Sequence, residues 1–74
     1  MKRKFLKLSA RNQIKGTILA VVKGATTSHV TEEISGGQKI VASITNEAVE
    51  ELGLQKGKSA IVVIKASDVM VGVE

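Results

Sequence analysis

Lys39-Ile40-Val41-Ala42-Ser43-Ile44-Thr45-Asn46-Glu47-Ala48-Val49-Glu50-Glu51-Leu52-Gly53 changes its periodicity half-way along, and that change decides the fold class. From Lys39 to Ile44 the chain alternates, with Ile40, Ala42 and Ile44 on one face and Val41 and Ser43 on the other. A period of two marks a strand with one buried face. From Asn46 the pattern turns helical. Thr45 or Asn46 supplies a capping oxygen, and Glu47 suits the positive end of the helix dipole. Val49 and Leu52, three apart, face a core, and Gly53 supplies a left-handed stop. A helix under three turns is marginal in water and has to be held by packing.

Reading upstream, Ser35-Gly36-Gly37 separates Lys39–Ile44 from Ser28–Ile34, a run rich in Thr, Val and Ile. A Gly-Gly between two β-like runs predicts a hairpin. Before it lies Ile14–Val22, β-branched and closed by Lys23-Gly24, with Gly16 expected at a bend or bulge. Downstream, Lys56-Gly57 turns into the apolar strand Ala60–Ile64, and Val69–Val73 follows Ala66-Ser67-Asp68 as a last short strand. The reading is a mainly β protein: a small five-stranded OB-like Greek-key barrel with one short helix between strands 3 and 4. A swapped-hairpin β-protein has similar ingredients.

With 74 residues the chain is one domain, residues 8–74, preceded by a basic tail at 1–7. The tail dominates the charge. Of eleven Lys and Arg, four lie in the first seven residues, leaving seven against seven acids and a body that is formally neutral. A basic tail on a neutral body argues against a broad polyanion-binding face. The usual reinforcements of a small fold are missing, because the chain has no Cys, Trp or Tyr, one His and one Phe. Yet 43% of the residues are hydrophobic, more than one small core absorbs. Association with further copies is therefore expected. No apolar run follows the basic start as in an export signal, and none approaches a membrane span, so a cytoplasmic location without membrane contact is expected.

No catalytic set emerges from the spacing, and a non-enzymatic role is expected. Glu32-Glu33 and Glu50-Glu51 read as solvated surface charges rather than acid–base pairs. His29 reads as a surface or hydrogen-bonded side chain. Three segments instead place a cation or hydroxyl beside small residues: Ser9-Ala10-Arg11-Asn12, Lys23-Gly24-Ala25-Thr26-Thr27, and Lys65-Ala66-Ser67. Short side chains let a ligand approach backbone N–H groups. A tetrahedral dianion requires such fixed N–H and O–H donors, one or two cations, and no nearby carboxylate. Strand ends and turns use the same residues, so no single segment decides the matter.

The series Ser9-Ala10-Arg11-Asn12, Lys23-Gly24-Ala25, Gly36-Gly37, Ile44–Leu54, Lys56-Gly57 and Ile64-Lys65-Ala66-Ser67-Asp68-Val69-Met70 resembles the molbindins, the Mop-type molybdate-binding family. The resemblance implies a small barrel that assembles as a hexamer, a trimer of dimers, and holds molybdate or tungstate between subunits. It implies storage, buffering or homeostasis of the oxyanion, no catalytic cofactor, and no direct side-chain coordination of the metal. By motif, Ser9, Ala10, Arg11 and Asn12 hold one side of the ion. Lys65, Ala66 and Ser67 contribute further donors, and Thr45 reaches the site from the helix start. Lys23, Gly24 and Ala25 form a possible second oxyanion site. The basic start departs from the family pattern.

A different class competes. Glu50–Gly57 followed by a β-run is similar to swapped-hairpin DNA-binding transcriptional regulators, with the tail supplying phosphate contacts. Those domains favour a Pro at the helix start and several arginines, whereas this chain has no Pro and two Arg. A single-strand-binding barrel fits worse, since stacking platforms need aromatic rings. Nucleic acid is therefore the weaker expectation.

Overall fold

The computed structural model describes residues 9–74, so the basic tail at 1–7 lies outside the described residues. The elements are β1 (Asn12–Lys23), β2 (Thr27–Ile34), β3 (Lys39–Thr45), α1 (Asn46–Leu52) and β4 (Ser59–Ile64). All strand pairs are antiparallel, in the order β3-β2-β1-β4. The first three strands run as a meander. The chain then passes through α1 and returns to lay β4 along β1. Each reversal has a local cause. Gly36 and Gly37, at φ 88° and 81°, make the left-handed turn from β2 to β3, closed by Ile34 N–H donating to Gln38 O at 2.8 Å.

The hinge between strand and helix matches its sequence signals. Thr45 is the N-cap, its Oγ1 accepting from Ala48 N–H at 3.1 Å. Gly53 takes the left-handed C-cap conformation at φ 64°, and Leu54 N–H bonds back to Val49 O. That bond carries Leu54 over the core. It also corrects the expectation for Leu52, which is 65% exposed, while Val49 is buried. The helix is too short to turn both residues inward, so the residue after its glycine stop takes the second place.

The inner face carries Ile18, Val30, Val49 and Val62, with Val21, Ile44, Leu54 and Ala60 packed against them. In β2, β3 and β4 the inward positions are even-numbered throughout. β1 is different. Its register slips between Ile18 and Ala20, so Leu19 is a bulge residue, and the inward series passes from Ile14, Gly16 and Ile18 to Val21. The bulge expected at Gly16 therefore lies three residues on. Gly16 serves close packing instead, since a Cβ there would stand 3.0 Å from Glu33 O.

Two further expectations change. Val69–Val73 forms no strand within the chain. A 3-10 turn at Ala66–Asp68 follows β4, and the segment beyond it pairs with neither free sheet edge. What the chain forms by itself is thus a curled four-stranded sheet with one helix. Glu32 is not a solvated charge either. Position 32 belongs to the inward series of β2, and its side chain is buried at 7% exposure.

Candidate functional site

Pairing of β1 with β4 decides which of the expected residues meet. Asn12 is the register partner of Ile64, and Asn12 Nδ2 donates to Ile64 O at 3.2 Å. The residues just outside that pair, Ser9, Ala10 and Arg11 on one strand and Lys65, Ala66 and Ser67 on the other, therefore share one end of the sheet. Gln13 Nε2 folds back onto Ala10 O at 3.1 Å and steadies the approach to β1. Ala66 and Ser67 begin a 3-10 turn, whose first N–H groups find no partner within the turn.

The electrostatics of this end are open. Arg11 and Lys65 are exposed, and among the described residues neither enters an ion pair or a side-chain hydrogen bond. The acid nearest in sequence is Asp68, exposed on the same 3-10 turn. Two cations, two hydroxyls, one amide and several backbone donors on small residues suit a polyoxygenated dianion.

Thr45 lies elsewhere. It pairs with Thr27 at the far end of the sheet, and its hydroxyl accepts the capping bond of α1. The twelve residues of β1 separate the two ends, roughly 36 Å along the strand. Within one copy, then, Thr45 is not joined to Arg11 and Lys65. It neighbours the other candidate segment, Lys23-Gly24-Ala25.

That far end is closed on itself. Gly24 N–H donates to Thr27 O at 2.7 Å, and a Cβ on Gly24 would meet the same oxygen at 2.9 Å. The turn thus needs glycine. Asn46, which sequence reasoning treated only as a possible cap, donates through Nδ2 to Gly24 O at 3.1 Å and Ala25 O at 3.4 Å. Its Oδ1 accepts from Ser28 Oγ, a fully buried hydroxyl, and its N–H donates to Thr26 O at 2.9 Å. The signal available in the sequence was an Asn one residue past a Thr cap, where a second capping side chain is redundant. Lys23 Nζ stands 3.5 Å from Glu50 Oε2, both exposed.

Two concavities accompany these ends. An open groove of about 600 Å³, lined by Lys15, Thr17, Glu33, Ser35 and Ser59 among others, holds none of the expected residues. An apolar slot of about 550 Å³ lies between β3 and β4, where Ala42 and Ile44 face Ala60 and Val62. Glu32 also lines this slot, and its Oε1 is buried without a partner. Burial pushes the Glu32 carboxyl above its ordinary value. No helix among the described residues is long and apolar enough to cross a membrane.

Comparison with known proteins is informative over nearly the whole chain. The TOBE domain family model matches residues 8–71. Molybdenum-pterin-binding protein 3 of Clostridium pasteurianum is 44% identical over 66 residues, covering 89% of this chain and 97% of that protein. Among solved structures, apo MopII of the same organism superposes with a TM-score of 0.85 at 43% identity, covering 90% of this chain and all of that one. The cytoplasmic molybdate-binding protein ModG, with molybdate bound, superposes at 0.89 with 48% identity; 93% of this chain matches 49% of ModG.

Proposed function

Because this chain belongs to the TOBE domain family, among its Mop-type molybdenum-pterin-binding proteins, we propose that it binds molybdate as a non-enzymatic module. The observation that carries the reading is the end of the sheet where Asn12 pairs with Ile64. There Arg11 and Lys65 stand exposed without counter-ions, flanked by Ser9, Ala10, Asn12, Ala66 and Ser67. Tungstate, with the same shape and charge, fits the same donors. The ion is held by hydrogen bonds and charge, with no side chain bonded to the metal.

The separation of Thr45 from Arg11 supports a site built between copies. One copy offers the open end, and a neighbour brings its Thr45 end or its own open end against it. Exposed Val41, Ile61 and Val63 on the outer face supply apolar surface for such contacts. The assembly is a hexamer built from dimers, its repeating unit a five-stranded Greek-key barrel, working in the cytoplasm to store or buffer the oxyanion. The swapped-hairpin DNA-binding reading is not favoured. The likeness to Mop proteins runs through the helix and turn on which that alternative rested.

Calorimetric titration of the full chain tests this directly. A donor-only site suits a fully deprotonated dianion and penalises hydrogen phosphate, whose O–H lacks an acceptor. Molybdate and tungstate should bind well ahead of sulfate, with phosphate last. Equal affinities for sulfate and molybdate would remove the reading.

A further inference from the structure

The two arms that frame the open end are not held equally. The Lys65 arm is anchored from both sides. Ile64 O accepts from Asn12 Nδ2 across the sheet, and Asp68 and Val69 N–H close the 3-10 turn onto Lys65 O at 2.9 Å and Ala66 O at 3.3 Å. The Ser9–Arg11 arm lies ahead of β1, outside the ladder that ties β1 to β4. Among the described residues one hydrogen bond holds it, from Gln13 Nε2 to Ala10 O at 3.1 Å.

Peptide geometry determines what that bond fixes. Ala10 C=O and Arg11 N–H belong to one planar trans unit and point in opposite directions across it. Gln13 lies on the outer face of β1, since the inward series there is Ile14, Gly16 and Ile18. By capturing the carbonyl it turns the Arg11 N–H away from itself, and that N–H donates to no group among the described residues. The same peptide plane sets the direction in which the exposed Arg11 side chain leaves the backbone. Without the bond, an incoming ion would have to order the arm at an entropic cost.

We propose that Gln13 is a positioning residue for the oxyanion: its grip on Ala10 O presets the Arg11 N–H and guanidinium at the spacing of a large tetrahedral dianion. It acts through the arm, not through contact with the ion, and the proposal rests on the molybdate reading above. The consequence is selectivity as well as affinity. Donors held at a fixed spacing match one size of ion, whereas a loose arm closes as readily on the smaller sulfate, and discrimination falls.

Gln13→Met in the full chain keeps the length of the side chain and removes the donor. Because Gln13 is exposed, the variant should fold and melt within a few degrees of the parent. Its molybdate affinity should fall by about threefold to tenfold, the worth of one neutral hydrogen bond, and the calorimetric molybdate-to-sulfate ratio should fall with it. Gln13→Lys returns a donor of similar reach. Its added charge favours both dianions alike, so the ratio, rather than either affinity, should recover. A loss of general stability would not move the ratio. Gln38→Met, at an exposed glutamine whose side chain makes no hydrogen bond among the described residues, is the control and should match the parent.

Amide NMR relaxation at Ala10 and Arg11, without ligand, reads the brace directly. The arm should be ordered in the parent and in Gln13→Lys, and mobile on the sub-nanosecond scale in Gln13→Met. A loosened arm with an unchanged ratio would overturn the proposal. Molybdate preference in the parent, with an arm equally ordered in Gln13→Met, would remove the brace and keep the function. A loosened arm in Gln13→Met, with a parent that binds sulfate as well as molybdate, would remove the function and keep the brace.

Discussion

The two ends of β1 differ in where their polar groups find partners. At the Lys23 end nearly every group is answered from within the chain: Asn46 grips the turn and Ser28, Thr45 caps α1, and Glu50 faces Lys23. At the Arg11 end the internal bonds stop at Asn12 and Gln13, and the cations beyond them have no partner among the described residues. Exposed cations are solvated and need no partner within the chain, so the open end is free to meet a ligand, as the proposed function requires. Lys23-Gly24-Ala25 looks equally suitable as a string of residue types. Its geometry spends those groups on folding.

The largest expected effect follows from that contrast. Arg11→Ala and Lys65→Ala should each weaken molybdate binding by about tenfold to a hundredfold, the worth of one charge-assisted hydrogen bond. Lys23→Ala should change it less than about threefold. Calorimetry on the three variants checks the order, and a Lys23 variant as damaged as the other two would erase the distinction between the ends.

Stability should show the reverse pattern. Asn46→Ala removes the grip on Gly24 O and Ala25 O and leaves the fully buried Ser28 hydroxyl without its acceptor. A buried group orphaned in this way costs about 1–3 kcal/mol, which for a domain this small is a drop of roughly 4–8 °C in Tm per kcal/mol. Asn12→Ala, which loses a single bond at the open end, should cost about 1 kcal/mol or less. Thermal unfolding without ligand compares them. Equal losses would mean that the open end is as internally braced as the closed one.

Glu32 belongs to neither end and gives the smallest expected effect. Its folded carboxyl titrates above the ordinary value, so between the unfolded and folded pKa the folded form binds the extra proton. Stability contributed by that proton is present below the unfolded value and is lost as pH rises through the folded one. The side chains set around it on β1, β3 and β4 (Gly16, Ile18, Ile40, Ala42, Ala60 and Val62) bring no other charge. Glu32→Leu should therefore raise Tm at neutral pH by a few degrees, a gain of about 1 kcal/mol, and the gain should vanish toward pH 4. A gain independent of pH would show that packing, not charge, is the cause.

Much of this architecture was legible because local signals were unambiguous. Gly36-Gly37, the Thr45 cap and the Gly53 stop each demand one backbone geometry, and each is found there. The reading failed where a residue's place depends on distant pairing. Glu32 reads as surface charge until the register of β2 assigns it to the inner face. Val69–Val73 reads as a strand because strand propensity is a property of the segment, whereas a strand also requires pairing, and the segment pairs with no edge of the sheet. The candidate site was half legible. Arg11 and Lys65 lie in separate motifs that only the Asn12–Ile64 register joins, and the same topology that joins them sends Thr45 to the opposite end.

The unpaired Leu19 makes β1 a ruler with two phases. Residues on its first half count inward on even numbers and those on its second half on odd ones. A change in chain length at this point acts on the irregularity alone. Deleting Leu19 should close the bulge into one plain alternation, with Ile18 still opposite Glu32 and Val21 still inward opposite Val30. Adding one residue beside it would widen the irregularity, with the register on either side intact. The two halves of the strand can thus vary at their junction without dragging each other out of register.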